Sequence, residues 1–558
     1  MIFALLLALQ APVQVQNARV AGQVLSQAGG PLKKASIRLQ AMMQPGQPTT
    51  PTSYTAASDA EGRFLFEDVS PGKYYLSAQR TGYINQQYGA KSSGTAGTPL
   101  SLDAGQEMKD LVFKLIPQAM IFGRVVDEDG DPLPNYSIQA SRWTFVNGKK
   151  QLQVAGNSSS QADGTFVMGS LRAGRYYLSA DSRANNFTMG LEKPGSRKPQ
   201  ESYLKTYYPN ALDAASAALI DVAEGAEVRG AEIHVRRGRV YTVQGRIDSG
   251  SNAPRYAQLM LLPKNNVNIS FPDQRQAQVQ GKEGLFVFKN VPPGVYILQS
   301  QFTEAVVKDP TGEFSKSVPL VARLEVTVAD QDIEGLVVPL VPGPAIKGSF
   351  KTEGVDPASQ APGAKALPSV QLRATGATIG GSAGYSEVNE DGTFRMQGVV
   401  PGVVRVSVFN LPENTYIKAI NFGGQDVNGK DLDLSNSSGG EIQVIVSPNG
   451  AEVTGTVRDA DGKAMPSAVV QICDKSGEVA KSANTDQNGA FDLKGLAPGE
   501  YKVFAWEDRG DGIIQDPDFR KIFESKATVV KLVEKSHENV EPGMIAKAAM
   551  DVEAAKVQ

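Results

Sequence analysis

Short runs of apolar and polar residues in strict alternation recur along the chain, broken by turns that carry glycine. A period of two is the signature of a half-buried β-strand, not of a helix with its 3.6-residue repeat. In one such run Phe64 and Phe66 share a face. In the next Tyr74, Leu76 and Ala78 share another, with Tyr75 and Ser77 opposite. The turns between these runs also repeat. EGRF at Glu61, DGTF at Asp163, EGLF at Glu283, DGTF at Asp391 and NGAF at Asn488 are each followed by a second turn: SPGKY, RAGRY, PPGVY, VPGVV and APGEY.

The paired turn glycines are Gly62 and Gly72, Gly164 and Gly174, Gly284 and Gly294, Gly392 and Gly402, Gly489 and Gly499, ten residues apart in every copy. That spacing holds one short strand. An Asp-Gly or Asn-Gly pair supplies the positive φ of a tight turn, and Pro-Gly presets the next reversal. Each copy therefore predicts a hairpin of the form turn, FxF strand, turn, YxLxA strand. Copy four carries Val404 where the others have tyrosine. Upstream, VAGQV, IFGRV, VQGRI, IKGSF and VTGTV place glycines at 22, 123, 245, 348 and 455, a mean period of about 108 residues and the size of a small domain.

About seven short strands per copy indicate a two-sheet sandwich. The fold class expected is all-β: a tandem array of five small Ig-like or transthyretin-like (prealbumin-like) β-sandwich modules. The expected divisions are 1–18 as signal peptide, modules at 19–117, 118–237, 238–342, 343–448 and 449–545, and a tail at 546–558 read as a frayed helix or disordered end. The closing strand of each module runs almost directly into the next module, with prolines at some joints. Short, stiff linkers of this kind predict an extended rod.

Composition adds little to this picture but excludes much. The 558 residues include 56 glycines and 33 prolines, enough for many turns, and 41% hydrophobic residues, as in an ordinary folded protein. A formal charge of −3 offers no clustered cation surface for nucleic acid. Ile2 to Ala11 form an apolar run too short to span a bilayer and suited to the core of a signal peptide, although no Lys or Arg precedes it. Cleavage is expected after Ala11 or Ala18, with no transmembrane segment left in the mature chain. The single cysteine, Cys473, permits no intrachain disulfide, and its setting VVQICDK reads as a strand facing a core.

The strings from Gly123 to Leu133, Asp163 to Ala180, Gly455 to Pro466 and Asn488 to Ala505 resemble the carboxypeptidase regulatory-like domain family, and the other copies follow more loosely. The resemblance implies a transthyretin-like sandwich, grouped with carbohydrate-binding-like folds and collagen-adhesin B-type repeats. It also implies a range of roles: spacer, adhesive unit or enzyme appendage. No catalytic set accompanies it. The two histidines, His234 in an alternating strand and His537 in a polar loop, have no second histidine at zinc-ligand spacing. A nucleophile elbow, a Walker loop and a dinucleotide fingerprint are likewise absent, and GSAGYS from Gly381 reads as a loop. The chain is read as a non-enzyme without cofactor or metal.

Three features are candidates for binding. Tyr83 and Tyr88 in copy one, and Tyr203, Tyr207 and Tyr208 in copy two, lie in long loops where exposed rings would stack on sugars or anchor a protein; packing onto their own sandwich is the competing reading. DEDGDP from Asp127 and EDRGDGIIQDPD from Glu507 suggest calcium. With Gly512 at the loop's sixth position, however, Arg509 falls on a ligand position. The collagen-adhesin likeness implies a possible Lys to Asn isopeptide bond, for which no matching residue set is recognisable. These readings predict a secreted, periplasmic or cell-surface structural and interaction protein, acting as spacer or ligand-presenting scaffold. Its expected partners are a polysaccharide or a cell-surface protein. The alternatives are a carbohydrate-binding protein using the tyrosine loops and an accessory or sensor subunit of an exported enzyme or outer-membrane transporter.

Overall fold

The computed structural model describes residues 16–42, 52–90, 97–146, 149–182, 187–188, 200–250, 257–264, 275–279, 283–301, 303–308, 315–354, 367–376, 381–437, 439–508 and 510–557. The apolar run Ile2 to Ala11 lies outside them. Ala18 opens the first strand and is fully buried in the core of module one.

The alternating runs fold as β-strands, and their inward residues form one apolar core for each of the five repeats. The opening strands are Ala18–Ser26, Ala119–Val126, Arg237–Asp248, Ala345–Thr352 and Ala451–Thr456. Each pairs antiparallel with the strand that carries the FxF motif or its equivalent. On its other side it pairs parallel with the strand that closes the module: Glu107–Leu115, Glu227–His234, Ile333–Pro339, Gly439–Ser447 and His537–Val540. The first and last strands of a module are thus neighbours, so each repeat closes on itself before the next begins.

The register of the antiparallel pair explains why two distant motifs recur together. Gly22 faces Phe64, Gly123 faces Phe166, Gly245 faces Phe286, Gly348 faces Phe394 and Gly455 faces Phe491. All five phenylalanines are buried. A β-carbon on Gly22, Gly123, Gly245 or Gly455 would run into the backbone carbonyl of Leu111, Ala231, Leu336 or Val540 on the closing strand. On Gly348 it would run into the Phe394 ring. Glycine is required here by close approach, and the cross-strand aromatic covers the backbone it leaves bare.

The sheets correct the expected hairpin. The Arg63–Val69 strand pairs with Ala18–Ser26, whereas Gly72–Gln79 pairs with Ser36–Ala41 in the other sheet, and the two are not hydrogen-bonded to each other. The same division holds in every module. The ten-residue spacing therefore marks two corners at which the chain crosses from one sheet to the other. Positive φ is still needed at the first corner: Gly62, Gly164, Gly284, Gly392 and Gly489 have φ between 67° and 78°. A period-two pattern shows which residues face a core but not which sheet covers it, and this is why the sequence suggests a hairpin.

The second corner is held by a bond that the alternation conceals. The hydroxyls of Tyr74, Tyr176, Tyr296 and Tyr501 donate to the carbonyls of Ser70, Arg172, Pro292 and Ala497, four residues back, at 2.7, 2.9, 2.9 and 2.9 Å. Burial pushes the Tyr74 hydroxyl up to about 12, which keeps it a donor. Val404 in module four makes no such bond.

Two further expectations are corrected. The array is not an extended rod. Gln487 of module five donates through Nε2 to the Ser101 carbonyl of module one (3.1 Å) and accepts from the Ser101 amide through Oε1 (3.2 Å). Beside these bonds Thr98 and Ser467 share a buried hydroxyl contact. Module two also reaches module five: its long hairpin, Tyr136–Val146 paired with Lys149–Ser159, packs Phe145 against a second apolar cluster on module five. A short linker need not be a straight one, and the chain brings its last module back to the first two.

The C-terminal segment is likewise not a frayed end. Lys547–Val557 is a helix whose Met550 is buried in the same second cluster. The polar loop expected around His537 is the closing strand of module five, and all of GSAGYS after Gly381 lies in the strand Ser382–Glu387.

Gly22→Ala is expected to destabilise module one by about 3 kcal/mol or more, because the clash is with backbone that cannot move aside. Gly30→Ala, whose nearest neighbour is a serine hydroxyl at 3.4 Å, is expected to stay within about 0.5 kcal/mol of the parent. Chemical denaturation of the full chain checks both.

Candidate functional site

The expected tyrosines occupy two separate loops, and each is tied to its own module. Tyr83 and Tyr88 are half-buried against the core of module one, with Tyr88 edge-on to Phe113 at 5.5 Å between ring centres. The Arg80 guanidinium lies 5.7 Å from the Tyr83 ring centre. In module two Tyr203 and Tyr208 pack on the core, and the Lys205 ammonium sits 5.5 Å from the Tyr207 ring centre.

Tyr203 is the most constrained of the five. Its strand, Gln200–Tyr203, pairs antiparallel with the first residues of module three's opening strand, so the loop spans the joint between modules two and three. Its hydroxyl donates to Asp127 Oδ2 (3.1 Å) and accepts from Arg237 Nη2 (2.7 Å), while the same guanidinium stands 4.9 Å from its ring centre. Tyr136 meets it edge-on at 6.4 Å. The structure thus brings Tyr203, Asp127 and Arg237 together at a joint. It does not gather the five tyrosines into one flat stacking surface.

The acidic loops are explained by the backbone. Asp127 Oδ1 accepts from the amides of Asp129 (3.0 Å) and Asp131 (2.9 Å). Burial alone would raise its carboxyl, but these bonds, the Tyr203 hydroxyl and Arg237 outweigh burial and hold it below the usual carboxylate range. Asp59, Asp459, Asp474 and Asp486 make the same two-amide turn in other loops. In the second acidic loop Gly510–Gln515 forms a 3-10 helix, Asp516 caps the Pro517–Ile522 helix through the Asp518 amide (2.9 Å), and Arg509 lies outside the described residues. Among the described residues no group of three or more His, Cys, Asp or Glu side chains is placed to hold a metal ion. His234 pairs with Glu232 at 2.9 Å and His537 with Glu452 at 3.1 Å.

Sequence reasoning missed the surface on module five that receives module two. Trp506 is fully buried, stacks on Phe504 at 5.5 Å and donates to Gln471 Oε1 at 3.0 Å. Phe519 and Phe523 cover its other sides, and the buried Arg520 donates to the carbonyls of Ile514 and Gly477. The one available signal was the cluster of aromatic residues after module five's last YxV strand, read instead as an acidic loop. Cys473 belongs to this cluster, and burial pushes its thiol up to about 11.

Two segments, residues 19–115 and 452–512, match the carboxypeptidase regulatory-like domain. Among solved structures, a minor pilin of Streptococcus agalactiae is 11% identical, with 40% of this chain and 96% of that chain covered and a TM-score of 0.21. The major pilin subunit BcpA of Bacillus cereus is 11% identical over 58% of this chain and 99% of that one, with a TM-score of 0.16. Two B repeat units of the collagen binding protein of Staphylococcus aureus are 12% identical over 77% and 100%, with a TM-score of 0.12. No curated protein matches the chain by sequence.

At pH 8 a thiol titrating near 11 is almost wholly protonated, and only the thiolate attacks a disulfide reagent. The native chain is therefore expected to react with an aromatic disulfide at least ~100-fold more slowly than the unfolded chain. Rapid stoichiometric labelling of the folded protein would show the site to be open.

Proposed function

We propose that this chain, whose first and last modules are carboxypeptidase regulatory-like domains, is a non-catalytic structural scaffold that works outside the cytoplasm and presents its loops to a macromolecular partner. The observation that carries this reading is the use to which the repeats are put. Each inward face fills a core, and the described joints are fastened by side chains. Gln27 Nε2 donates to Glu224 Oε2 (2.7 Å) between modules one and two, and Tyr416 donates to Glu534 Oε1 (3.0 Å) between modules four and five. The carboxylates of Asp59, Asp127, Asp459, Asp474 and Asp486 are each engaged by backbone amides of their own turns. What remains at the surface is loops on a framework that fixes their relative positions.

Export rests on the apolar run Ile2 to Ala11. No helix among the described residues is long and apolar enough to cross a membrane, which leaves strand-built barrels unaddressed. A polysaccharide partner gains little from the tyrosine loops, because their rings lie half-buried beside cations or against their own cores.

Cell fractionation of the tagged full-length chain tests the location; recovery in the periplasm, envelope or medium is expected, and recovery only in the cytoplasm would overturn it. On a glycan array the parent, Tyr88→Ala and Tyr207→Ala are expected to be alike. Binding lost in either variant would restore the carbohydrate reading. Peptidase and glycosidase panels are expected to show no turnover that depends on a residue of this chain.

A further inference from the structure

A loop of module four, residues 411–416, lies against the opening sheet of module five, and the Gly450 amide donates to the Asn414 carbonyl at 2.8 Å. A group of charges meets at this joint. Glu452 on the opening strand stands opposite Lys494 on one neighbouring strand and His537 on the other. Asp492 lies two residues before Lys494 and so shares its face of the sheet. Three carboxylates reach the Lys494 ammonium: Glu413 of module four at 2.9 Å, Asp492 at 3.4 Å and Glu452 at 3.8 Å. His537 meets Glu452 at 3.1 Å and carries charge only when protonated. Around this group the Lys481 ammonium donates to the Lys494 carbonyl, Lys73 of module one acts on Glu413 through space, and Glu534 accepts from the Tyr416 hydroxyl. Glu538 follows His537 and faces the other side of its strand.

One oxygen in this group lacks a donor. Asp492 Oδ1 is buried and accepts no hydrogen bond, although the Glu452 carboxylate is within hydrogen-bonding reach of the Asp492 side chain. Two carboxylates can bond to each other only if one of them carries a proton. The surroundings favour that proton. Burial and the neighbouring Glu452 carboxylate outweigh Lys494 and hold the Asp492 carboxyl above its ordinary value. Lys494 is meanwhile held as a cation chiefly by its bond to Glu413, the carboxylate that comes from module four.

We propose that Glu452 and Asp492 share one proton, and that this proton makes the joint between modules four and five a switch that loosens as the pH rises. With the proton in place Asp492 donates to Glu452, the pair carries a single negative charge, and Lys494 serves Glu413. Without it three carboxylates compete for one ammonium, and Asp492 draws Lys494 away from the module-four residue that it fastens. The direction follows from linkage. A carboxyl raised in the folded chain costs no stability below its ordinary value, where folded and unfolded chains are both protonated. Stability then falls as the pH climbs from that ordinary value through the raised one, and levels off above it. The switch goes beyond the scaffold reading and operates whether or not the chain is exported.

Hydrogen exchange of the full chain between pH 4 and pH 8, with protection corrected for the intrinsic rate at each pH, tests the switch. Protection of residues 411–416 and 490–496 is expected to fall by about tenfold across this range in the parent, the equivalent of one pKa unit. Asp492→Asn places an amide that donates to Glu452 at every pH. Its protection is expected to match the parent at pH 4 and to stay level to pH 8, where it exceeds the parent by about tenfold. Glu452→Gln offers the same kind of bond from the other partner and decides the matter if Asp492→Asn fails to fold. His537→Gln is expected to keep the parent's fall. Flat protection in the parent, a fall that the amide variants share, or a fall that disappears in His537→Gln would overturn the proposal.

Discussion

The contact on which the rest of the structure depends is the one between a glycine on each opening strand and a phenylalanine on the strand that crosses to it. The glycine lets the parallel closing strand come within backbone contact on one side, and the phenylalanine covers the exposed peptide on the other. A larger residue at Gly455 would push away either Val540 or Phe491, and with it the strand that returns the chain to its starting edge. Because the closing strand runs parallel to the opening one, the chain leaves each module beside the end of its opening strand, and the next module begins at that end. Five repetitions of that geometry leave little slack at the joints.

The joints then set the shape. Two to five residues between sandwiches leave little room to absorb a change of direction, so whatever angle the packing prefers is passed along the chain. Here the angles add up to a return, and module five lies against modules one and two. The two contacts differ in character. Module one meets module five through reciprocal amide bonds around Gln487, whereas module two inserts Phe145 into an apolar surface that also holds the C-terminal helix. The polar contact depends on alignment and the apolar one on burial, so the hairpin of module two is the firmer of the two attachments. Among the described residues, the aromatic cluster around Trp506 and the helices after it belong to module five, where that attachment is made.

Much of this was legible in the sequence, and the parts that were not share a cause. The five glycine-spaced motifs give the strands, the module count and the inward faces, because a repeat displays its own periodicity. Whether Arg63–Val69 and Gly72–Gln79 pair or part is not in the alternation, since either arrangement buries Phe64 and Tyr74. The tyrosine-to-carbonyl bonds span four residues, and their one local signal is the tyrosine that follows the second turn in four of the five modules. Contacts such as Ser101 with Gln487 join residues nearly four hundred positions apart and have no local signature. The burial of the candidate tyrosines depends on neighbours such as Phe113 and Arg237, which no short motif includes.

Small-angle X-ray scattering of the monomeric chain tests the closed arrangement most directly. Five modules of roughly 30 Å placed end to end would give a radius of gyration of about 45 Å, and a compact globule of this length about 24 Å. A chain folded back on itself is predicted to fall below about 35 Å. A value near that of the straight row, with a pair-distance distribution reaching the full length of five modules, would contradict the seating of module five on modules one and two.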